Sequence, residues 1–136
     1  MILAAGYGKR MMPLTKETPK PLLKVGDETL LDRNIKNVQS NGFDEIIINI
    51  SYQGAMIRKH IQNHYKDSNF VLIEEPHPYG TGGALINAKK HLGDGSVLVL
   101  NADIFHDFNL SKLKKEVECI HLVGICLLYT SPSPRD

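Results

Sequence analysis

Residues 2–25, ILAAGYGKRMMPLTKETPKPLLKV, decide how this chain is read. Ile2 to Ala5 is an apolar run with the look of a buried strand, and Gly6-Tyr7-Gly8 breaks it. The segment from Lys9 to Lys24 carries five cations, Lys9, Arg10, Lys16, Lys20 and Lys24, against the single acid Glu17, and is punctuated by Pro13, Pro19 and Pro21. Glycine lets the backbone approach an anion closely because no Cβ shields its N–H. Cations placed just beyond can then grip phosphate oxygens. The stretch is a phosphate-handling element, and its spacing says which kinds it is not. A P-loop needs G-x-x-x-x-G-K-[ST], and the chain contains no such string. A dinucleotide fingerprint needs G-x-G-x-x-G opening a helix, but Met11 stands at the third position and Pro13 follows at once, which argues against an NAD-dependent oxidoreductase.

What remains is a strand, a glycine turn, a basic loop, Pro19-Lys20-Pro21 and only then a helix. LAAGYGKRMMPLT followed by PKPLL resembles the two-part signature of the sugar-1-phosphate nucleotidyltransferases. That family condenses a nucleoside triphosphate with a sugar 1-phosphate to give a nucleotide sugar and pyrophosphate. Within it, the T-P-K-P-L segment and a T-G-G loop look nearest to N-acetylmuramate 1-phosphate uridylyltransferases, with mannose- and heptose-1-phosphate guanylyltransferases as near rivals.

At 136 residues the natural expectation is one domain with a real core. A formal net charge of +1 gives no support for a nucleic-acid partner or a membrane surface, and the basic loop is a small-anion feature. No apolar run reaches the ~18 residues of a membrane span. Cys119 and Cys126 form neither a disulfide framework nor a zinc spacing, and read as reduced thiols in a cytoplasmic protein. No oligomeric state is legible.

Beyond the turn at Gly26-Asp27-Glu28, Leu30, Leu31, Ile35 and Val38 recur at helical spacing up to Gly42. Glu45 to Ile50 is a β-branched run expected as a second buried strand. A helix over Ala55–His64, a strand over Phe70–Ile73, a helix from Thr81-Gly82-Gly83 to about His91 and a strand over Val97–Leu100 complete the alternation. The pattern predicts an α/β fold: a three-layer, Rossmann-like, mostly parallel sheet. A short helix over Leu110–Val117 and an apolar run over Leu122–Leu128 follow. Residues 1–125 are expected to be the nucleotide-binding part of a nucleotidyltransferase domain truncated on its C-terminal side. Residues 126–136, with linker-like composition, are expected to be a disordered, non-native tail.

In a parallel α/β sheet, ligands sit beyond the carboxyl ends of the strands, and three signals converge there: the glycine turn, the Thr81-Gly82-Gly83 loop and Asp103. Taken alone, Gly6 and Gly8 are as readily turn glycines, Thr81 a helix cap and Asp103 a strand-end cap. The resemblance implies more. Arg10 would hold the triphosphate and the departing pyrophosphate, and Lys20 the reacting phosphates or the sugar phosphate. Gly6 and Gly8 would lie along the nucleotide, the backbone of Leu3 and Ala4 along the nucleoside, and Thr81, Gly82 and Gly83 at the base. Asn101-Ala102-Asp103 looks like the family's metal-binding segment, with Ala102 where glycine is usual, so Asp103 would hold Mg²⁺. Lys9, Lys16 and Lys24 are read as solvated charges. His60 and His64, four apart, are expected on an exposed polar face rather than at a metal, since H-E-x-x-H is absent. A non-catalytic nucleotide-binding module on the same fold is the alternative.

Overall fold

The structure, a computed structural model, describes residues 1–106, 108–110 and 113. Its elements run β1 (Ile2–Leu3), β2 (Lys24–Val25), β3 (Glu28–Thr29), α1 (Leu30–Ser40), β4 (Ile46–Ile50), α2 (Gly54–His64), β5 (Phe70–Glu74), α3 (Gly80–Leu92) and β6 (Leu100–Asn101). The main sheet has the order β5-β4-β1-β6 with every pair parallel. This is the expected mostly parallel α/β sheet. The expected helix over Leu110–Val117, the apolar run Leu122–Leu128 and the tail 126–136 lie wholly or mostly outside the described residues.

Side chains on a strand alternate between faces, and β4 shows how this builds the layers. Ile46, Ile48 and Ile50 share one buried cluster with Leu31, Ile35 and Val38 of α1 and Ile57 and Ile61 of α2. Asn49 points the other way and meets Glu75, at the end where α3 begins. Helices thus cover both faces, and the polar residue in an otherwise apolar strand marks the face that carries the cleft.

Three details differ from the sequence reading. The basic loop is not irregular: it coils into 3₁₀ turns at Lys9–Met11, Leu14–Lys16 and Lys20–Leu22. Gly26-Asp27 is the tip of a small antiparallel hairpin, β2–β3, with Lys24 opposite Thr29. The last strand is shorter than expected and shifted, because Ile2 lies opposite Leu100, which leaves Val97 and Leu98 with no residue opposite them on β1.

Of the two histidines, His64 is exposed as expected and His60 is corrected. His60 is not on a free polar face: its Nε2 lies 2.7 Å from Asp32 Oδ1 in the seam between α2 and α1, where the two side chains are only 14% and 15% exposed. Tyr65 donates its hydroxyl to the same carboxylate oxygen at 2.7 Å, and the Thr29 hydroxyl donates to Oδ2 at 2.7 Å. The sequence showed only His60 and His64 at helical spacing; the partner was distant in the chain. Burial pushes the Asp32 carboxyl up, but the hydrogen bonds from His60, Thr29 and Tyr65 outweigh it and hold the group below its ordinary value of 3.8. A lowered carboxyl pKa contributes stability that is present above the unfolded-state value and lost as pH falls through the folded-state value. The unfolding midpoint should therefore drop on acidification below about pH 4. In Asp32→Asn, thermal melts across that range should show a shallower acid slope; an unchanged slope would remove Asp32 from the account.

Candidate active site

At the carboxyl ends of β1, β4, β5 and β6 the chain encloses a cleft of about 280 Å³. Its walls include Leu3, Ala4, Gly6, Gly8, Lys20, Thr81 and Asp103, so seven of the residues singled out from the sequence meet in one place. Arg10, Gly82 and Gly83 are not in the lining. Arg10 is exposed on the first 3₁₀ turn and makes no hydrogen bond or ion pair among the described residues. Gly82 is exposed within the first turn of α3. Gly83 has a packing reason of its own, since a Cβ there would come within 2.7 Å of Tyr79 Cβ.

The two glycines of the opening turn do different things. Gly8 adopts φ +64, and an added Cβ would lie 2.9 Å from Thr15 Cγ2. Thr15, fully buried, donates its hydroxyl to the Gly8 carbonyl at 2.9 Å, and Tyr52 and Gln53 donate to the carbonyls of Thr15 and Lys16. Gly8 is thus where the basic loop is folded back and pinned. Gly6 has a negative or extended φ and nothing within 4 Å of an added Cβ, so its openness faces the cleft rather than the protein. Gly8→Ala should cost about 2–4 kcal/mol, from the left-handed backbone plus overpacking. Gly6→Ala should leave the melting temperature nearly unchanged and weaken nucleotide binding. Thermal melts and calorimetric titrations of both variants check this, and equal melting losses would contradict the division of labour.

Across the cleft, Lys20 Nζ donates to Asp103 Oδ2 at 2.5 Å, with side chains 28% and 35% exposed. Lys20 is placed by the Pro19-Lys20-Pro21 turn, whose Pro19 and Pro21 are buried. Asp103 is placed from beneath. The Ala102 N–H donates to the Leu3 carbonyl at 2.9 Å, Ala102 is fully buried, and the Asn34 side-chain amide of α1 lies within hydrogen-bonding reach of the Ala102 and Ile104 carbonyls at 3.3 and 3.2 Å. Asn34 was read only as part of a helix; nothing local in the sequence announces that it braces a segment 68 residues away.

A second polar group was also missed. Asn49 Oδ1 accepts from the Ala4 N–H at 3.0 Å, and Asn49 Nδ2 donates to Glu75 Oε1 at 2.8 Å. Glu75 Oε2 accepts from the Tyr79 N–H at 3.0 Å. Both side chains are buried, at 3% and 2% exposure, and both line the cleft. This chain of bonds ties β1, β4 and the start of α3 together at the carboxyl edge of the sheet. A polar residue inside the run Ile46–Ile50 was the available signal, since a buried amide needs partners.

A glycine turn, a loop lysine and a strand-end carboxylate thus converge at the carboxyl edge of the parallel sheet, the edge at which such sheets hold ligands. Comparison with known proteins gives the family: residues 1–131 match the nucleotidyl transferase family, and the chain belongs to it. It is 32% identical to a D-glycero-alpha-D-manno-heptose 1-phosphate guanylyltransferase of Campylobacter jejuni over 84% of this chain and 51% of that protein. It is 36% identical to an N-acetylmuramate alpha-1-phosphate uridylyltransferase of Neisseria meningitidis over 82% of this chain and 49% of that one. Among solved structures, HddC of Yersinia pseudotuberculosis, determined in complex with GMP-PN, superposes with a TM-score of 0.67 at 31% identity, over 75% of this chain and 46% of that chain. The chain spans about half the length of these relatives.

Among the described residues no helix is long and apolar enough to cross a membrane, and no group of three or more His, Cys, Asp or Glu could hold a metal ion.

Proposed function

We propose that the chain is the nucleotide-binding half of a sugar-1-phosphate nucleotidyltransferase that converts a nucleoside triphosphate and a sugar 1-phosphate into a nucleotide sugar and pyrophosphate. The single observation that carries this reading is the cleft in which Gly6, Gly8, Lys20, Thr81 and Asp103 meet at the carboxyl edge of a parallel sheet. Guanylyl- and uridylyltransferases among the relatives support it.

In this reading the triphosphate lies over the open backbone at Gly6, with the nucleoside against the backbone of Leu3 and Ala4 and the base beside Thr81 and the first turn of α3. Gly82 and Gly83 contribute through the geometry of that turn. Arg10, exposed and without a partner among the described residues, folds over the triphosphate and the departing pyrophosphate. Lys20 supplies fixed positive charge beside the reacting phosphates. An oxygen of the sugar phosphate attacks the α-phosphorus in line, a new P–O bond forms, the bond to the bridging oxygen breaks, and its electron pair leaves with pyrophosphate.

Mg²⁺ fits the residues present: Asp103 is a partly exposed carboxylate on the cleft wall, and Mg²⁺ takes one or two carboxylates together with waters and substrate phosphates. When bound, Mg²⁺ would neutralise charge on the α-phosphate. These are the substrates of cytoplasmic biosynthesis, and a cytoplasmic location and a role in cell-wall or polysaccharide precursor supply belong to the proposal.

The test is pyrophosphate release with Mg²⁺ from the full reading frame, with UTP, GTP, dTTP and CTP set against N-acetylmuramate, mannose, heptose and glucose 1-phosphates. Release with one pairing is expected. Nucleotide binding without release from any pairing would favour the non-catalytic module.

A further inference from the structure

Among the described residues, Gln53 is the one residue other than glycine with a positive φ, at +51. It stands at the turn from β4 to α2 as the N-cap of α2, and gives that helix no side-chain cap. A left-handed backbone is costly for a residue with a Cβ, and asparagine would suit both the conformation and the cap better. Its Oε1 adds a second cost, being shielded from solvent with no hydrogen-bond partner among the described residues. Local costs of this kind persist where the surrounding structure puts the residue to another use.

That use lies outside the helix. Gln53 Nε2 donates to the Lys16 carbonyl at 2.8 Å and to the Tyr52 hydroxyl at 3.3 Å, and that hydroxyl donates to the Thr15 carbonyl at 3.3 Å. The Tyr52 ring also meets the Tyr7 ring, with centroids 5.7 Å apart. Tyr7 precedes Gly8, and Thr15 and Lys16 follow Leu14, so the dipeptide Tyr52-Gln53 grips both feet of the basic loop. The bond from Thr15 to the Gly8 carbonyl closes the loop between those feet, and Arg10 stands exposed within it. Neither Tyr52 nor Gln53 lines the cleft, whereas Gly8 does.

Resting on the reading of this cleft as a nucleoside triphosphate site, we infer that Gln53 is a positioning residue that holds the basic loop ready to present Arg10 to the triphosphate. An arginine on a loose loop must be ordered at each binding event, and that ordering is subtracted from the affinity. A loop gripped at both feet is already ordered when the nucleotide arrives. The side chain suits this task by its length: it spans from the start of α2 to the Lys16 carbonyl, and asparagine is one methylene too short to do so. Gln53 touches no substrate in this account and acts only through the loop.

The experiment compares the protein, in its full reading frame, with Gln53→Asn and Gln53→Gly, which accept a left-handed backbone and cannot reach Lys16. Melting temperatures should stay near that of the parent, because relief of the backbone offsets the lost bond. Tryptic cleavage after Lys9, Arg10 and Lys16 should be about 10-fold faster. In calorimetric titrations with GTP, UTP, GMP and UMP, the better-bound triphosphate should lose about 10-fold in affinity, the scale of one hydrogen bond's worth of ordering, and its monophosphate nothing. In an Arg10→Ala background, Gln53→Asn should cost no further affinity. Equal losses for triphosphate and monophosphate, or a loss undiminished in the Arg10→Ala background, would make Gln53 a general brace and overturn the inference. Unchanged loop cleavage, or a parent that binds triphosphate no tighter than monophosphate, would overturn it as well. A triphosphate-selective loss in a protein that releases no pyrophosphate would leave this inference standing while the transferase reading fell. Pyrophosphate release with no triphosphate-selective loss in either variant would do the reverse.

Discussion

Asp103→Asn should lower pyrophosphate release by on the order of 10²- to 10³-fold, the scale seen when one preorganised electrostatic group is removed from a transition state. The substitution keeps size and shape and removes only the charge. Two roles go with that charge: it is the partner of Lys20 across the cleft, and it is the hard oxygen ligand proposed for Mg²⁺. The fold should be nearly indifferent. With the two side chains 28% and 35% exposed, the ion pair contributes about 1 kcal/mol at most. The backbone around residue 103 is held by other bonds, from the Ala102 N–H to the Leu3 carbonyl and from Asn34 to the carbonyls on either side. Melting curves and steady-state assays on the same preparation separate the two effects. Full activity in Asp103→Asn would take the carboxylate out of the chemistry.

The second large effect is on stability. Asn49→Leu should cost roughly 3 kcal/mol, because it strips a donor from the buried Glu75 carboxylate, and an unsatisfied buried charged group costs more than a neutral one. Leucine has the branched shape of asparagine, though a larger volume, and continues the apolar run of β4, so a propensity argument expects no harm. The bond count expects otherwise. The Ala4 N–H keeps the Asn49 backbone carbonyl at 3.2 Å, but Glu75 Oε1 keeps nothing in exchange for Asn49 Nδ2. Denaturant unfolding measures the cost. The double variant Asn49→Leu with Glu75→Leu should be more stable than Asn49→Leu alone, since replacing both partners removes the orphaned charge. A single variant as stable as the parent would mean that the buried network is dispensable.

These cases show what the sequence could and could not disclose. The parallel sheet and its helices follow from local pattern: the run Ile46–Ile50 is apolar throughout except for Asn49, and α1 repeats Leu31, Ile35 and Val38 on one face. Gly6, Gly8, Lys20, Thr81 and Asp103 were legible because a parallel sheet sends its strand ends to one edge, so residues distant in the chain converge there. The Asp32–His60–Tyr65 seam, the Asn34 brace and the Asn49–Glu75 bond were not. Each joins a side chain to a group 26 to 70 residues away, and no local periodicity encodes such a pairing. The 3₁₀ turns of the basic loop escaped for another reason. Each is a single turn closed by its own backbone bonds, too short for a periodicity to show, and the first two are pinned from outside by Thr15, Tyr52 and Gln53.

The most direct test of the central claim is a crystal structure of the protein with Mg²⁺ and a non-hydrolysable nucleoside triphosphate. The triphosphate should lie along Gly6 and Lys20, the base should sit against Gly80 and Thr81, and Asp103 should have exchanged Lys20 for the metal. A nucleotide bound elsewhere, or one bound in the cleft with Asp103 facing no metal and still held by Lys20, would contradict the account.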